Sequence, residues 1–563
     1  MESRNLTRIG VVAVVVWALL LWGLLSGCAS GPRRFNTAAP TLLADDDRRP
    51  FERPPETSYI PKYWDGADHI LFRPLSHIFL LESSHAAVNV NALDEVPDSS
   101  WFVNRLSRQR MTAEEIARGP CSRPSPETDQ PWTVVGAKAD GDNPGFQITT
   151  RSGVRYLLKF DNKSQWERAS AADVVGSRLY FAAGFQTPCN RVVYFRPADL
   201  QLPRKPIPGA DGKPLTSQGI EAMLDGLPRE HDGTLRSLAS EFLPGKPIGP
   251  WGYEGVRGDD PNDAVRHEDR RELRGSRLLA AWISHHDARS MNTLAMWADD
   301  GGGRGHVEHY LIDWGDTLGG LVQVGSDTNA SMDRLSRRIG YTYYIDFGAI
   351  ATDFFTFGAL ERPWERAHYG PAGKIFGYFN DEEFVAEDWK VGYPNPAFSD
   401  MVEEDGAWMA RIIARFDDDT ISAVVREARL TSPIARSELA RILRGRRDRI
   451  LDRYLTRLSS LSDPRMEDRT LCVRDRAAEA GVPPAPGFSA RIWFSETMVG
   501  DLPVERRGNG ELCTRLPPLG PGQRVVDLST GRPGQGPLRV HVQESSPARV
   551  VGLRRPESAE MPL

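Results

Sequence analysis

The sequence predicts an α+β protein of two lobes, one rich in strands and one helical, with an N-terminal extension before them and a small all-β domain behind. Three observations predict it. Between Trp132 and Gly245, short alternating segments bounded by turn residues dominate, with a single helical stretch among them. Beyond Gly255 the apolar spacing becomes helical, and from about Cys472 short strands with Gly and Pro turns return. The 563 residues suffice for two to four domains, and 40% hydrophobic with 26% charged residues is ordinary globular composition. Lys and Arg total 70 against 76 Asp and Glu, a formal charge of -6, so no global basic field points to a nucleic-acid partner.

Residues 1–27 read as a targeting segment. Arg4 and Arg8 precede the apolar run Val11 to Leu25, about 15 residues where a membrane span needs roughly 20. The tetrapeptide LSGC, Leu25 to Cys28, resembles a bacterial lipobox. That resemblance implies a signal peptide cut before Cys28 and a lipid on its thiol. Ala29 brings no acidic retention signal, so it also implies the outer membrane of a Gram-negative cell envelope, with the folded part facing the periplasm or the cell surface. An uncleaved anchor and a chance cysteine are the alternatives. Residues 28–66, with GPRRF and DDDRRPFERPPETS, lack apolar periodicity and read as a flexible tether. Residues 67–130 form an N-terminal extension in which TAEEIARG is a short helix.

With Cys28 assigned to the lipid, Cys121, Cys189, Cys472 and Cys513 remain. An oxidising compartment allows two disulfides among them, and proximity in sequence favours Cys121 with Cys189 and Cys472 with Cys513 out of three connectivities. Four buried free thiols are the alternative. No Cys/His spacing suggests zinc.

Residues 131–250 make the strand-rich lobe. WTVVGAK, FQITT and VRYLLKFD alternate and are separated by GDNPG and RSG, which reads as a meander. ASAADVVGSRLYFAAG, Ala169 to Gly184, has helical spacing and a Gly stop; RVVYF and RSLASEFLPG are further strands around a polar, Pro-rich insertion at 197–234. Residues 251–465 make the helical lobe. HEDRRELRGSRLLAAWIS is a buried helix, TLAMW and VEHYLIDW flank DDGGGRG as a hairpin, 321–400 is aromatic and loop-rich, and DGAWMARIIARF and SELARILRGRRDRILDRYLTRL are helices. RGRRDR, Arg444 to Arg449, reads as a solvated helix face able to meet anionic lipid head groups. Residues 466–563, with SARIWFSET, QRVVDLST and PLRVHVQES, are the all-β domain.

The stretch WISHHDARSMNTL ends the buried helix with His285, His286, Asp287 and, five positions after the aspartate, Asn292. Phosphoryl transfer needs a cation on the phosphates, carboxylate and amide oxygens for Mg2+, and a group that orients the nucleophile. His-x-Asp followed by Asn is the spacing of the protein-kinase catalytic loop. HYLIDWGDTLGG delivers Asp313 from an apolar strand into a Trp-Gly turn, the setting of the second metal-binding aspartate. Lys159 lies in the third strand, and either Glu167, just before the following helix, or Asp173, within it, can hold it. The loop GAKADGDNPG, with Gly141 and Gly145, can close over phosphates, though its glycine spacing is not Gly-x-Gly-x-x-Gly.

On these residues the chain from about 132 to 460 resembles the atypical kinase-like fold, nearer to HipA-type and phosphatidylinositol-kinase-like enzymes than to ordinary protein kinases. RRDRILDRYL is loosely similar to the last helix of CotH-type spore-coat kinases. The resemblance implies ATP or another nucleotide and Mg2+ between the lobes, with EFLPG, Glu241 to Gly245, as the hinge. It also implies Lys159 on the phosphates, Asp287 on the nucleophile's proton, and Asn292 and Asp313 on Mg2+. The divergent Gly loop and the lack of an Ala-Pro-Glu segment put protein substrates in doubt. The expected activity is a phosphotransferase acting on an envelope protein, lipid or glycan. A catalytically inactive, pseudokinase-like scaffold is the alternative, and a metal-dependent hydrolase on His285, His286, Asp287 and Asp313 is a third reading.

Overall fold

The computed structural model describes residues 43–557, apart from 80–84, 109–110, 139–143, 208–213, 323–329, 484, 495–496, 509, 519, 521–522, 544 and 546. Cys28 and Gly141 lie outside the described residues. Among the described residues no helix is long and apolar enough to cross a membrane.

The chain is a mixed α and β structure. After a two-residue strand β1 (Phe51–Glu52), the strand-rich part holds β2 (Trp132–Ala137), β3 (Gly145–Thr149), β4 (Arg155–Lys159), β5 (Asn190–Phe195), β6 (Leu200–Gln201) and β7 (Leu235–Glu241). They form one sheet in the order β5-β7-β4-β3-β2-β6, antiparallel except for β2 against β6. The meander read from alternation is present; β6 is added by the insertion. That insertion also carries the helix Ser217–Asp225, whose Ile220 and Leu224 pack on Trp132, Phe146 and Leu158 on one face of the sheet. Side chains alternate across a strand. With Tyr156 and Leu158 of β4 buried in that apolar face, Lys159 emerges on the other.

The other face is covered by α2 (Arg168–Ala183), which follows a short α1 (Ala113–Arg118) begun by a capping box at Thr112 and Glu115. Val174 of α2 meets Val192 and Leu238 of the sheet. The mainly helical part that follows opens with β8 (Lys246–Gly249) and α3 (Arg271–Ile283), then β9 (Thr293–Gly301) and β10 (Arg304–Leu311), the expected hairpin. Gly301, Gly302 and Gly303 turn it with positive φ. The sheet runs β1-β10-β9-β8. Helices α4 (Glu403–Ile413), α5 (Asp418–Glu427) and α6 (Pro433–Tyr454) pack with α3 into the largest core, around Trp282, Trp408, Leu443 and Ile450. The stretch 321–400 is less loop-like than its sequence: it carries helices Ala330–Arg338 and Phe347–Thr356.

From Leu461 to Arg554 the chain forms two antiparallel sheets of four and five strands, with one short helix at Arg476–Glu479. Both disulfides form in the favoured pairing, Cys121 to Cys189 and Cys472 to Cys513.

Two expectations are corrected. The segment read as a tether is not free from residue 43 onward: Phe51 pairs with Gly305, the Ser58 amide donates to the Ile248 carbonyl at 3.0 Å, and Asp47 accepts from Ser100. Its polar composition hides this because the contacts are backbone pairings and single ion pairs rather than a periodic apolar face. The basic run of α6 is not wholly solvated either. Arg446 and Arg447 are buried, and Arg446 donates to the carbonyls of Ala281, Trp282 and Asn380 while lying 3.7 Å over the Phe384 ring. A guanidinium can be buried when its fork meets several acceptors and its plane meets an aromatic ring.

Asp94 of the N-terminal extension ties the parts together. It accepts from Arg271 at 2.5 Å, Arg411 at 2.9 Å and Arg555 at 2.9 Å. Burial pushes this carboxyl up, but the three guanidiniums outweigh it and hold the pKa at about 2.

Candidate functional site

Two turns and one strand end converge here. Helix α3 stops at Ser284, whose φ of 56° and ψ of 51° turn the chain out of the helix and into His285–Asn292. Strand β10 stops at Leu311, and Asp313 adopts φ 58°, swinging its carboxylate out of the strand direction. The two turns are tied by the Ile312 amide, which donates to the Asn292 carbonyl at 3.0 Å.

Lys159 Nζ reaches between them. It lies 2.8 Å from Asp173 Oδ2 and 3.1 Å from Asp313 Oδ1. Sequence left Asp173 and Glu167 open as its partner, and the structure selects Asp173. Glu167 instead sits at the start of α2 with φ 71°, accepting from the Thr431 amide at 3.1 and 3.2 Å. Asp173 also accepts from the Trp314 amide at 2.8 Å, so α2, β4 and the Asp313 turn share one carboxylate. Arg168 adds two more ties, donating to the carbonyls of Gly315 at 2.6 Å and Thr317 at 2.8 Å.

The two aspartates differ in setting. Asp173 has a side-chain exposure of 3%, and Asp313 of 47%. Burial, reinforced by the like charge of Asp313, pushes the Asp173 carboxyl up. For Asp313, burial also raises the pKa, but Lys159 and the Gly315 amide outweigh it and the group ends lowered. Lys159 loses hydration on burial yet is raised on balance by both carboxylates. The result is a fixed cation with one covered and one accessible anion beside it.

Asp287 faces its own set of partners. Asn292 Nδ2 donates to the Asp287 carbonyl at 2.7 Å and to Oδ2 at 2.9 Å, and Arg289 Nε lies 2.8 Å from Oδ1. Burial is the largest influence and pushes the Asp287 carboxyl up, with Asp316 and Asp313 adding to it and Arg289 opposing. A carboxyl raised in this way is suited to take a proton near neutral pH. Because the Asn292 amide nitrogen is committed to Asp287, its oxygen is the atom left for a hard cation, alongside the exposed Asp313 carboxylate. Oxygen donors of this kind fit Mg2+.

The remaining expected residues are placed as follows. Gly145 pairs with Lys159 across the sheet, and a Cβ there would come 2.2 Å from the Leu158 carbonyl oxygen, so its glycine is explained by strand approach rather than by phosphate contact. Glu241 ends β7; its amide donates to the Cys189 carbonyl and its carboxylate lies 3.2 Å from Arg123, just before the Phe242–Gly245 link to β8. The hydrolase arrangement is not formed. His285 is buried against Tyr180 and Trp314, and burial pushes its pKa down to about 3, while His286 faces Tyr344. Among the described residues the one cluster of three metal-type ligands is Cys472, Glu511 and Cys513, and both cysteines are disulfide-bonded.

Sequence reasoning missed Arg289, Asp65 and Asp316. Arg289 stands two positions after Asp287 in the loop, a charge at a spacing that could have been noticed. Asp65 pairs with Arg289 from the segment read as a tether, and nothing in the local sequence announces it.

Gly176 shows how tightly the turn is seated. A Cβ on this α2 residue would fall 2.3 Å from Trp314 Cγ, so the indole packs directly on the helix backbone. Gly176→Val is expected to destabilise the chain by about 1–3 kcal/mol through overpacking. A urea unfolding curve checks it, and an unchanged midpoint would show that the indole moves aside freely.

No family model matches the chain, and no match is found among curated proteins. Among solved structures, the Rio2 kinase-ADP/Mg2+-phosphoaspartate complex from Chaetomium thermophilum is similar at 13% identity, over 53% of this chain and 72% of that one, with a TM-score of 0.19.

Proposed function

We propose that the chain is a lipid-anchored envelope protein whose kinase-like domain holds a nucleotide and Mg2+ and transfers a phosphoryl group to an envelope acceptor. One observation carries the reading. Lys159 is clamped between Asp173 of α2 and Asp313 of the turn, and that turn is hydrogen-bonded to the loop of Asp287 and Asn292. In this reading Lys159 is the phosphate-binding cation, Asp313 and Asn292 are the oxygen ligands, and Asp287 is the carboxyl for the nucleophile's proton. Nucleotide and Mg2+, when bound, supply the phosphoryl group and offset its negative charge. Lys159 orients phosphate oxygens, Asp313 and Asn292 offer oxygens to the cation, and Asp287 orients an acceptor hydroxyl. Glu241 to Gly245, which joins β7 to β8, is the hinge in this reading.

The envelope setting rests on LSGC at Leu25 to Cys28 and is supported by two disulfides, which persist in oxidising compartments. That compartment ordinarily lacks ATP, so the donor is exported, scavenged or a different phosphoryl compound. A binding role without turnover is the second reading. It is favoured by the occupation of both Asp287 oxygens by Arg289 and Asn292.

Thermal unfolding of the full chain with ATP and Mg2+ tests the site. At a nucleotide concentration a hundredfold above Kd, the gain is about 2.7 kcal/mol. The expected result is a metal-dependent rise in midpoint that Asp313→Asn abolishes. No shift with any nucleotide, in the wild type, would overturn the nucleotide reading; a shift without phosphate transfer would favour the binding role.

A further inference from the structure

The helix Phe347–Thr356 carries its apolar stripe outward. Phe347, Ile350, Ala351, Phe354 and Phe355 recur at spacings of three and four and line one side, the side that a packed helix turns toward the core. Here no residue of the helix is buried. Ile350 is 52% exposed, Phe354 72% and Phe355 77%, and Phe357, which ends the helix with φ 52°, is 96% exposed. Single exposed apolar side chains are ordinary, whereas a contiguous set marks a surface that meets something.

The polar groups of the same helix are already satisfied. The hydroxyls of Thr352 and Thr356 donate back to the carbonyls of Gly348 and Thr352, each at 2.7 Å. Asp353, the one charged side chain in the helix, lies 2.7 Å from Arg362. Asp346 caps the start, accepting from the Ala349 amide at 3.0 Å and pairing with Lys390 at 2.7 Å. At the other end the Gly358 amide donates to the Asp353 carbonyl at 3.0 Å. Lipid supplies no hydrogen-bond partner, so a surface that enters it must satisfy its polar groups internally. A protein interface carries about one hydrogen bond per 100–200 Å2, and this stripe has no side chain to make one.

The chain that precedes the described residues brings a lipid surface within reach. Fourteen residues, 29–42, separate Cys28 from Leu43, and they span at most about 50 Å even fully extended. With Cys28 lipidated, as proposed above, the body stays within that distance of the bilayer, while its own radius of gyration is about 24 Å. A tether of this reach lets the body turn the helix toward the membrane and keeps it from diffusing away. The contact is then intramolecular in effect, so a modest apolar surface suffices to hold it.

We propose that the face formed by Ile350, Phe354, Phe355 and Phe357 docks on the phospholipid bilayer that holds Cys28, with the helix lying in the interface and its rings at the boundary of head groups and acyl chains. The inference rests on the lipid-anchor part of the proposed function and is independent of phosphoryl transfer. Its consequence for the site runs through two backbone hydrogen bonds. The Tyr344 amide donates to the Gly392 carbonyl at 2.8 Å, and the Gly392 amide donates to the His286 carbonyl at 2.7 Å. A docked helix therefore sets the position of the Asp287 loop relative to the lipid surface.

Photolabelling of the full chain in vesicles of phosphatidylethanolamine and phosphatidylglycerol tests this, with a diazirine on the acyl chain of a fraction of the lipid and the adducts mapped by mass spectrometry. Adducts are expected in peptides covering 347–360 as well as at the N-terminal segment. The double variant Phe354→Ser with Phe355→Ser should lower the former at least tenfold and leave the latter unchanged. Both side chains are exposed, so the variant should fold, and an unmoved thermal midpoint checks that it does. N-terminal adducts without adducts in 347–360, or adducts there undiminished in the folded variant, would overturn the docking and leave the anchor standing. In the first of these cases a dimeric mass in detergent, lost in the variant, would identify a second copy of the chain as the cover. Adducts at neither place would overturn the anchor together with the docking.

Discussion

Lys159→Met is expected to destabilise the chain by about 3–5 kcal/mol, the range for removing one partner of a buried ion pair. The loss comes through Asp173. Its side chain is 3% exposed, and without the ammonium its remaining partner is the Trp314 amide. Asp313 contributes less to the loss because its carboxylate, 47% exposed, is screened by water. The double variant Lys159→Met with Asp173→Asn should recover most of the loss, since no charge is then left buried alone. Urea unfolding of the four members of that cycle measures the coupling. A single variant as stable as the wild type, or a double variant no better than the single, would show that the pair does not hold α2 to β4. The same substitution should also remove any nucleotide-dependent rise in midpoint, which a purely structural lysine would not do if the double variant folds.

Replacing Cys121 and Cys189 together by serine should cost about 4 kcal/mol on the chain-entropy account, for a loop of sequence separation 68. Cys121 follows α1, and Cys189 immediately precedes β5, so the crosslink fastens the N-terminal extension to the edge strand of the first sheet. Local opening there should appear as faster amide exchange in Asn190–Phe195 without a matching change in α6. If exchange in β5 is unaltered and the unfolding midpoint is unmoved, the extension is held by packing alone.

Much of the site was legible because its residues sit at fixed offsets within single elements. Asp287 and Asn292 share one loop, Asp313 ends one strand, and Lys159 ends another, so local pattern places each of them. The choice between Glu167 and Asp173 was not legible, because it depends on which side of α2 faces β4, and the helix begins with a left-handed residue that shifts the facing set. Arg289 was visible but unread, whereas its partner Asp65 lies 224 positions away. Arg446 illustrates the limit of charge patterning. Its run looks solvated, yet the carbonyls that bury it come from α3 and from residue 380, which no window on α6 contains. The strands and helices themselves followed from periodicity, except for elements in polar or aromatic stretches, such as Ser217–Asp225 and Phe347–Thr356.

The seating of Trp314 against α2 also bears on the order in which the chain acquires its structure. Lys159 and Asp313 are 154 positions apart, and the Asp173 carboxylate and the Trp314 amide are 141 apart. Contacts of such separation form slowly, because the loop they close must be ordered before they stabilise anything. The first sheet and α2, by contrast, draw on neighbours in sequence and on the crosslink at Cys121 and Cys189. During synthesis from the N-terminus, that half can assemble while Asp313 has not yet been made. Until the hairpin of β9 and β10 arrives, Lys159 has Asp173 alone. The Lys159 clamp is therefore completed only after residue 313 has been made, and any stop before that position leaves Lys159 with a single partner.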